Sequence, residues 1–249
     1  MLSKSQISFL KSLQQKKVRK THGFFLAEGI KSISEFINSQ YEIETVYCTT
    51  AFDYKTLNQS QKFNIEEVVN ADLAKFSSLT TPQEIIALIK IPQWPALQTK
   101  TLLQSFSIVL DGVQDPGNLG TIIRTADWFG ISHIICSEDT VDVYNPKVVQ
   151  ATMGSLARTQ VHYVDLEHLL KKTELPVYGA LLNGQNIYKT NFGTEGLIVL
   201  GNEGSGIRPD IQKLIHLPVT IPLFGKAESL NVAMANAVFC SEISRTRIV

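Results

Sequence analysis

The sequence predicts an α/β protein in two parts, a small α/β domain over residues 1–95 and a larger domain over 106–249 built on a parallel sheet. Three observations carry this reading. Short apolar strands alternate with amphipathic helical stretches along both halves of the chain, the order expected of strands joined by helices. Two strands, Ile108-Val109-Leu110 and Ile198-Val199-Leu200, are continuously apolar, which suits a parallel sheet covered on both faces. Between the halves, Ile91-Pro92-Gln93-Trp94-Pro95 runs into the polar stretch Gln98–Gln104. Two prolines there oppose both helix and sheet pairing, and residues 96–105 read as the linker.

The elements follow in order. Ser3-Lys4-Ser5-Gln6 has the form of a capping box, and Ile7, Leu10 and Leu13 continue it at helical spacing. This basic first helix is expected to run to a break at His22-Gly23. Phe24–Ala27 reads as a short strand leading to Glu28-Gly29, and Ile30, Ile33, Phe36 and Ile37 mark an amphipathic helix. A strand at Thr45–Thr49, a helix at Ala71–Leu79 and a strand at Glu84–Ile91 complete the first half. The second half offers strands at Phe106–Asp111, His133–Cys136, Val177–Leu182, Leu197–Gly201 and Val219–Pro222. Helices are expected at Gly120–Phe129 and at about Asn231–Arg245.

The chain has 249 residues, 44% hydrophobic and 18% charged, which fits a soluble protein with a sizeable core. No apolar run reaches the ~18 residues of a membrane span, and the N-terminus has no apolar segment of a secretory signal. Cys48, Cys136 and Cys240 are far apart and sit among apolar residues, so reduced thiols and a cytoplasmic location are expected. Five histidines show no metal-ligand spacing, and no metal site is expected. The net charge of zero gives no sign of a nucleic-acid partner, but its distribution does. Residues 1–105 carry 12 basic and 9 acidic side chains, and Lys4, Lys11, Lys16, Lys17, Arg19 and Lys20 fall in the first twenty positions. Such a cluster neutralises phosphates or forms a solvated helix face, and composition alone does not separate the two.

Three segments place glycine and polar residues directly at strand ends, where open α/β sheets bind ligands. The first runs from Asp111 through Asp115-Pro116-Gly117-Asn118 to Arg124. Asn118 and Arg124 lie six residues apart and would not share a face of one continuous helix, but with Asn118 still in the loop both could face the strand ends. Arg124 stands between Ile123 and Ala126, an awkward place for a merely solvated charge. The second is Leu200-Gly201-Asn202-Glu203-Gly204-Ser205-Gly206, in which three glycines allow close backbone approach. It lacks the Gly-Lys-Ser/Thr of a P-loop and does not match the dinucleotide fingerprint. The third runs from Ile221 to Ala237, with Ser229 placed to cap a helix and Asn231 unexplained by capping.

Asn118-x-Gly-x-x-x-Arg124, Leu200-Gly-Asn-Glu-Gly and Ser229-Leu-Asn-Val resemble, in order, the three motifs of the SpoU (TrmH-like) RNA 2′-O-ribose methyltransferases of the SPOUT superfamily. The resemblance covers residues 106–249, and residues 1–95, with Phe25-Leu26-Ala27-Glu28-Gly29, resemble more loosely the family's ribosomal-protein-like substrate-binding domain. It implies a parallel-sheet domain with a C-terminal trefoil knot, a homodimer, and S-adenosylmethionine as cofactor. Backbone near Leu182, Gly201, Ile221 and Leu230 would hold that cofactor. Asn118, Arg124, Glu203, Ser229 and Asn231 would form the reaction site, with Glu203 holding Arg124. RNA, ribosomal rather than transfer RNA, would be the substrate. Gln150 and Thr152 depart from the Arg-Ala-Ser that relatives often carry, which bears on the RNA target more than on the chemistry. Two other classes compete: a non-catalytic RNA-binding module on the same fold, and a nucleotide-binding enzyme using the Gly201–Gly206 loop.

Overall fold

The structure is a computed structural model that describes residues 2–57 and 60–245. It divides into two compact units, one of residues 1–95 with 142–158, the other of 96–141 with 159–249.

The first unit is built on a four-stranded sheet of β1 (Phe24–Glu28), β2 (Ile43–Thr49), β3 (Asn64–Val68) and β4 (Ile85–Lys90), in the order β1-β4-β2-β3. β4 runs antiparallel to both neighbours, and β3 lies parallel to β2. Helices α1 (Lys4–Ser12), α2 (Lys16–His22), α3 (Ile30–Ile37) and α4 (Asn70–Phe76) complete the N-terminal stretch. The capping box at Ser3 forms as expected: Gln6 N donates to Ser3 Oγ at 3.2 Å, and Ser3 N donates to Gln6 Oε1 at 2.8 Å. The break expected at His22-Gly23 is joined by an earlier one at 13–15, which yields two helices where one was expected. Gly23, at φ 72°, ends α2 in the left-handed conformation that glycine adopts without a Cβ clash.

Alternation along β1 sends Phe24 and Leu26 to one face, into a core with Leu10, Leu13, Leu73 and Phe76. On the other face, Phe25 meets Phe36, Tyr41 and Tyr144, the last at a ring-centroid distance of 4.8 Å. Tyr144 belongs to the segment 142–158, whose helix α5 (Pro146–Thr152) packs on β1. Arg19 fixes the start of that segment. It is buried, donates to the carbonyls of Leu13 and Gln14 at 2.8 Å each, and pairs with Asp142 at 2.5 Å. The expected phosphate-facing cluster therefore loses Arg19, while Lys4, Lys11, Lys16, Lys17 and Lys20 stay exposed.

In the second unit a six-stranded, all-parallel sheet is formed by β5 (Phe106–Asp111), β6 (His133–Cys136), β7 (Gln160–Tyr163), β8 (Val177–Asn186), β9 (Gly196–Gly201) and β10 (Leu217–Thr220). Its order is β10-β8-β9-β5-β6-β7. In chain order the remaining helices, with the one before β6 now first, are αA (Pro116–Trp128), αB (Leu166–Lys172), αC (Pro209–Gln212) and αD (Val232–Arg245). Val109, Ile135, Val177, Leu197 and Val199 form one core with Leu166 and Leu170 of αB and Ile211 of αC. The intervening residues Ile108, Leu110, Ile198 and Leu200 are also buried, and αD packs on αA and β9. Burial of alternate residues on both sides is why these strands read as unbroken apolar runs. Two of the expected strands shift by a few residues: β8 extends to Asn186 instead of Leu182, and the edge strand β10 covers Leu217–Thr220 instead of Val219–Pro222.

The strand order fixes where a ligand belongs. From β5 the chain moves to β6 and β7 on one side, whereas β9, its other neighbour, connects to β10 on the far edge. The topological switch lies between β5 and β9, and in open α/β sheets the crevice beyond the carboxyl ends of such a pair takes the ligand.

Candidate active site

Asp111 and Gly201 stand opposite each other as the last residues of β5 and β9. The two loops that leave them carry the first two motifs. After β5, Gly112 turns the chain at φ 74°, and its N–H donates to Ser137 Oγ at 2.8 Å. Asp115 then caps αA, accepting from Asn118 N at 2.8 Å, and Pro116 occupies the first turn, where its missing N–H costs nothing. After β9, Asn202 organises a tight loop. Its Nδ2 donates to Gly112 O at 2.7 Å, and its Oδ1 accepts from Gly204 N at 2.9 Å and Ser205 N at 3.1 Å. Asn202 and Gly206 exchange both backbone hydrogen bonds. Gly201 has to be glycine: a Cβ there would fall 2.1 Å from Gly206 C and 2.2 Å from Ile207 N.

A hydrogen-bond chain links all three motifs. Glu203 Oε1 accepts from Asn118 Nδ2 at 2.9 Å, and Asn118 Oδ1 accepts from Asn231 Nδ2 at 3.0 Å. Asn231 Oδ1 in turn accepts from Ala233 N at 2.9 Å and Met234 N at 3.3 Å. The carboxylate can only accept, so it fixes the orientation of both amides. Asn231, not Ser229, is thus the residue that caps αD. Ser229 is exposed and makes no hydrogen bond among the described residues, which leaves its hydroxyl available.

Arg124 is placed differently from expectation. Because αA starts at Pro116, Asn118 is already helical, and the six residues to Arg124 turn the two side chains about 120° apart. Ile123 and Ala126 face the core while Arg124 is exposed. It has no hydrogen-bond or ion-pair partner among the described residues, and Glu203, expected to hold it, holds Asn118 instead.

Sequence reasoning gave no role to Asp111 and Asn202, which lie within its segments, and passed over Ser137 and Arg208. Asp111 is 1% exposed. Its carboxylate accepts from Arg208 N at 2.7 Å and Arg208 Nε at 2.7 Å, and Arg208 Nη2 lies 2.5 Å away. Hydrogen bonding to Asp111 raises the Arg208 guanidinium above its ordinary value. An acid at the last position of an apolar strand was the available signal.

Leu182, Gly201 and Ile221 lie towards or just past the carboxyl ends of the neighbouring strands β8, β9 and β10, and Leu230 immediately precedes Asn231. Leu182 and Leu230 expose 72% and 52% of their surface, a high value for leucines beside polar loops. Exposed aliphatic side chains beside strand-end backbone groups suit a flat heteroaromatic ring with a sulfonium-bearing arm, and the residues present fit S-adenosylmethionine in that sense.

This sheet, with polar loops meeting at its switch point, defines an α/β protein of the open parallel-sheet class. Residues 105–241 match the SpoU rRNA Methylase family, and residues 4–87 match the MRM3-like substrate binding domain. The chain belongs to the SpoU rRNA methylase family. It is 32% identical over 238 residues to the 23S rRNA (guanosine(2553)-2′-O)-methyltransferase RlmP of Bacillus subtilis, covering 92% of this chain and 91% of that one. A putative RNA methyltransferase of the TrmH family from Porphyromonas gingivalis superposes with a TM-score of 0.89 at 39% identity, covering 99% of both chains. An AdoMet-bound rRNA methyltransferase from Sinorhizobium meliloti gives 0.87 at 25% identity, covering 100% of this chain and 97% of that one.

Proposed function

We propose that the protein transfers the methyl group of S-adenosylmethionine to a ribose 2′-hydroxyl of ribosomal RNA. The observation that carries this is the Glu203–Asn118–Asn231 chain, which joins three sequence-distant motifs at the switch point of the sheet. The family match and the activity named for the Bacillus subtilis relative support the same chemistry.

Bound S-adenosylmethionine supplies a methyl group already activated by its sulfonium. The remaining work belongs to the protein. Backbone near Leu182, Gly201, Ile221 and Leu230 holds the cofactor. Asn118, fixed by Glu203, and Asn231, fixed by Asn118, keep one amide hydrogen each for the ribose or an adjacent phosphate, and Ser229 adds a hydroxyl. The 2′-hydroxyl proton leaves to solvent water, which reaches this exposed site, and Arg124 is the cation that meets the charge developing on the oxygen. A guanidinium stays protonated at neutral pH, so Arg124 acts by charge and by gripping phosphate, not as the base. Positioning of this kind is worth on the order of 7–11 kcal/mol of barrier.

The same reading makes residues 1–95 the RNA-binding part, 96–105 the linker and 106–249 the catalytic domain, with a C-terminal trefoil knot and a homodimeric assembly. The exposed lysines near the N-terminus support the first. For the dimer, Trp128 at the end of αA is 84% exposed and Met234 on αD is 53% exposed, on two helices that pack together. Three free, buried cysteines support a cytoplasmic setting. The test is incubation of the purified protein with methyl-labelled cofactor and either ribosomal or transfer RNA, followed by nucleoside analysis. The expected product is a 2′-O-methylated nucleoside from ribosomal RNA. Label in a base would refute ribose as the target, label in transfer RNA alone would refute the ribosomal substrate, and no label in either would refute catalysis.

A further inference from the structure

Glu203 can serve the site only if its loop is held, and Glu203 itself is exposed on a turn with glycine on both sides of Ser205. The loop leaves β9 at Gly201 and returns at Ile207, which is buried. Arg208 follows directly. Its backbone N–H and Nε each donate to one oxygen of the buried Asp111 carboxylate, at 2.7 Å. Asp111 ends β5 and pairs in register with Gly201, the first residue of the same loop. The two ends of the loop are therefore closed on one carboxylate, with Asn202 stitching the inside to Gly112 O. Arg208 Nη2 also lies 3.9 Å from Asp139 Oδ1, on the chain that follows β6.

We infer that the Asp111–Arg208 pair is a clamp that positions Glu203, and through it Asn118 and Asn231, for methyl transfer. Arg208 is a positioning residue, and the inference rests on the methyltransferase reading given above. The guanidinium has the geometry for the task, because a planar fork with an adjacent backbone N–H grips both oxygens of one carboxylate, which an ammonium cannot reproduce. Half of the Arg208 side chain is exposed, so its replacement leaves no new cavity in the core. A displaced Glu203 loosens Asn118, while Gly201 stays paired with Asp111 in the sheet and the cofactor contacts of β8 and β10 are untouched. The signature is a fall in the rate of the chemical step at unchanged cofactor affinity.

The experiment is a double-mutant cycle on the full chain with Arg208→Gln and Glu203→Ala, read by single-turnover transfer at saturating RNA and cofactor, with cofactor affinity measured separately by calorimetry. Arg208→Gln is expected to lower the rate by roughly 10- to 100-fold, the range for displacing a positioned group by about 1 Å, with affinity unchanged. Arg208→Lys should recover part of that loss. In the Glu203→Ala background, Arg208→Gln should cost almost nothing more, because both act on one arrangement. Independent, additive losses, or a loss of cofactor affinity equal to the loss of rate, would overturn the clamp. Amide hydrogen exchange separates this from failure of the functional reading, since it needs no activity. Gly204 and Ser205 should exchange faster in Arg208→Gln while β5 and β9 are unchanged. Unaltered exchange in that loop overturns the clamp even if the wild-type protein proves inactive.

Discussion

Arg124 shows what a local sequence argument reaches and where it stops. Its apolar neighbours mark it as unusual, yet in the structure they face the core and Arg124 faces out, because a helix separates adjacent residues by about 100°. Exposure without a partner is what a charge reserved for an anionic substrate requires. Arg124→Ala is expected to lower single-turnover methyl transfer by ~100-fold or more, with cofactor affinity and unfolding temperature unchanged. Arg124→Lys should keep partial activity with no gain on raising the pH; a rate that climbs as the lysine deprotonates would make this position the base. Asp111 and Arg208 escaped the sequence reading for a different reason. Each is ordinary in its own segment, and only the alignment of β5 beside β9 brings them together across 97 positions.

The capping of αD joins local structure to the site. Asn231 holds the helix with its carbonyl oxygen and Asn118 with its amide nitrogen. Asn231→Ala removes both and is expected to cost about 1 kcal/mol of stability. Asn231→Asp keeps the cap acceptor and should leave stability intact while activity falls; equal losses of stability in the two variants would contradict this division. A second element-scale prediction concerns β6 and β7, where His133 Nδ1 and His162 Nε2 lie 3.3 Å apart. Burial, and secondarily His133, pull the His162 imidazole down to about 4, and burial lowers His133 as well. His162 therefore stays neutral in the folded chain down to about pH 4, so between pH ~6.5 and 4 the unfolded chain takes up a proton that the folded chain does not, and stability falls as the pH falls through that window, with His133 acting in the same direction. His162→Gln should flatten this limb of the unfolding-temperature profile, and an unchanged slope would remove the pair from the account. Strands β5 and β9 were legible because burial on both faces makes them apolar. β3, with Glu66 and Glu67 at its centre, and β7, only four residues long, were not, since neither shows a clear period.

For the molecule as a whole, the α/β class and the strand-end location of the motifs were legible, and the packing of 142–158 with residues 1–95 was not. That segment lies between β6 and β7 in sequence, while its partners Arg19 and Phe25 lie more than a hundred residues earlier. No local pattern encodes a pairing over that distance. At this scale the exposed Trp128 and Met234 predict a dimer. Light scattering at micromolar concentration should give twice the chain mass of 27.7 kDa, and a monomer at every concentration would exclude it. The central claim is ribose methylation of ribosomal RNA, and mass mapping of total RNA from cells with and without this protein tests it most directly. The account predicts one or a few 2′-O-methyl nucleotides in ribosomal RNA that vanish when the protein is absent and stay absent when only the Arg124→Ala form is supplied. An unchanged set of ribose methyl groups in the cells lacking the protein would contradict it.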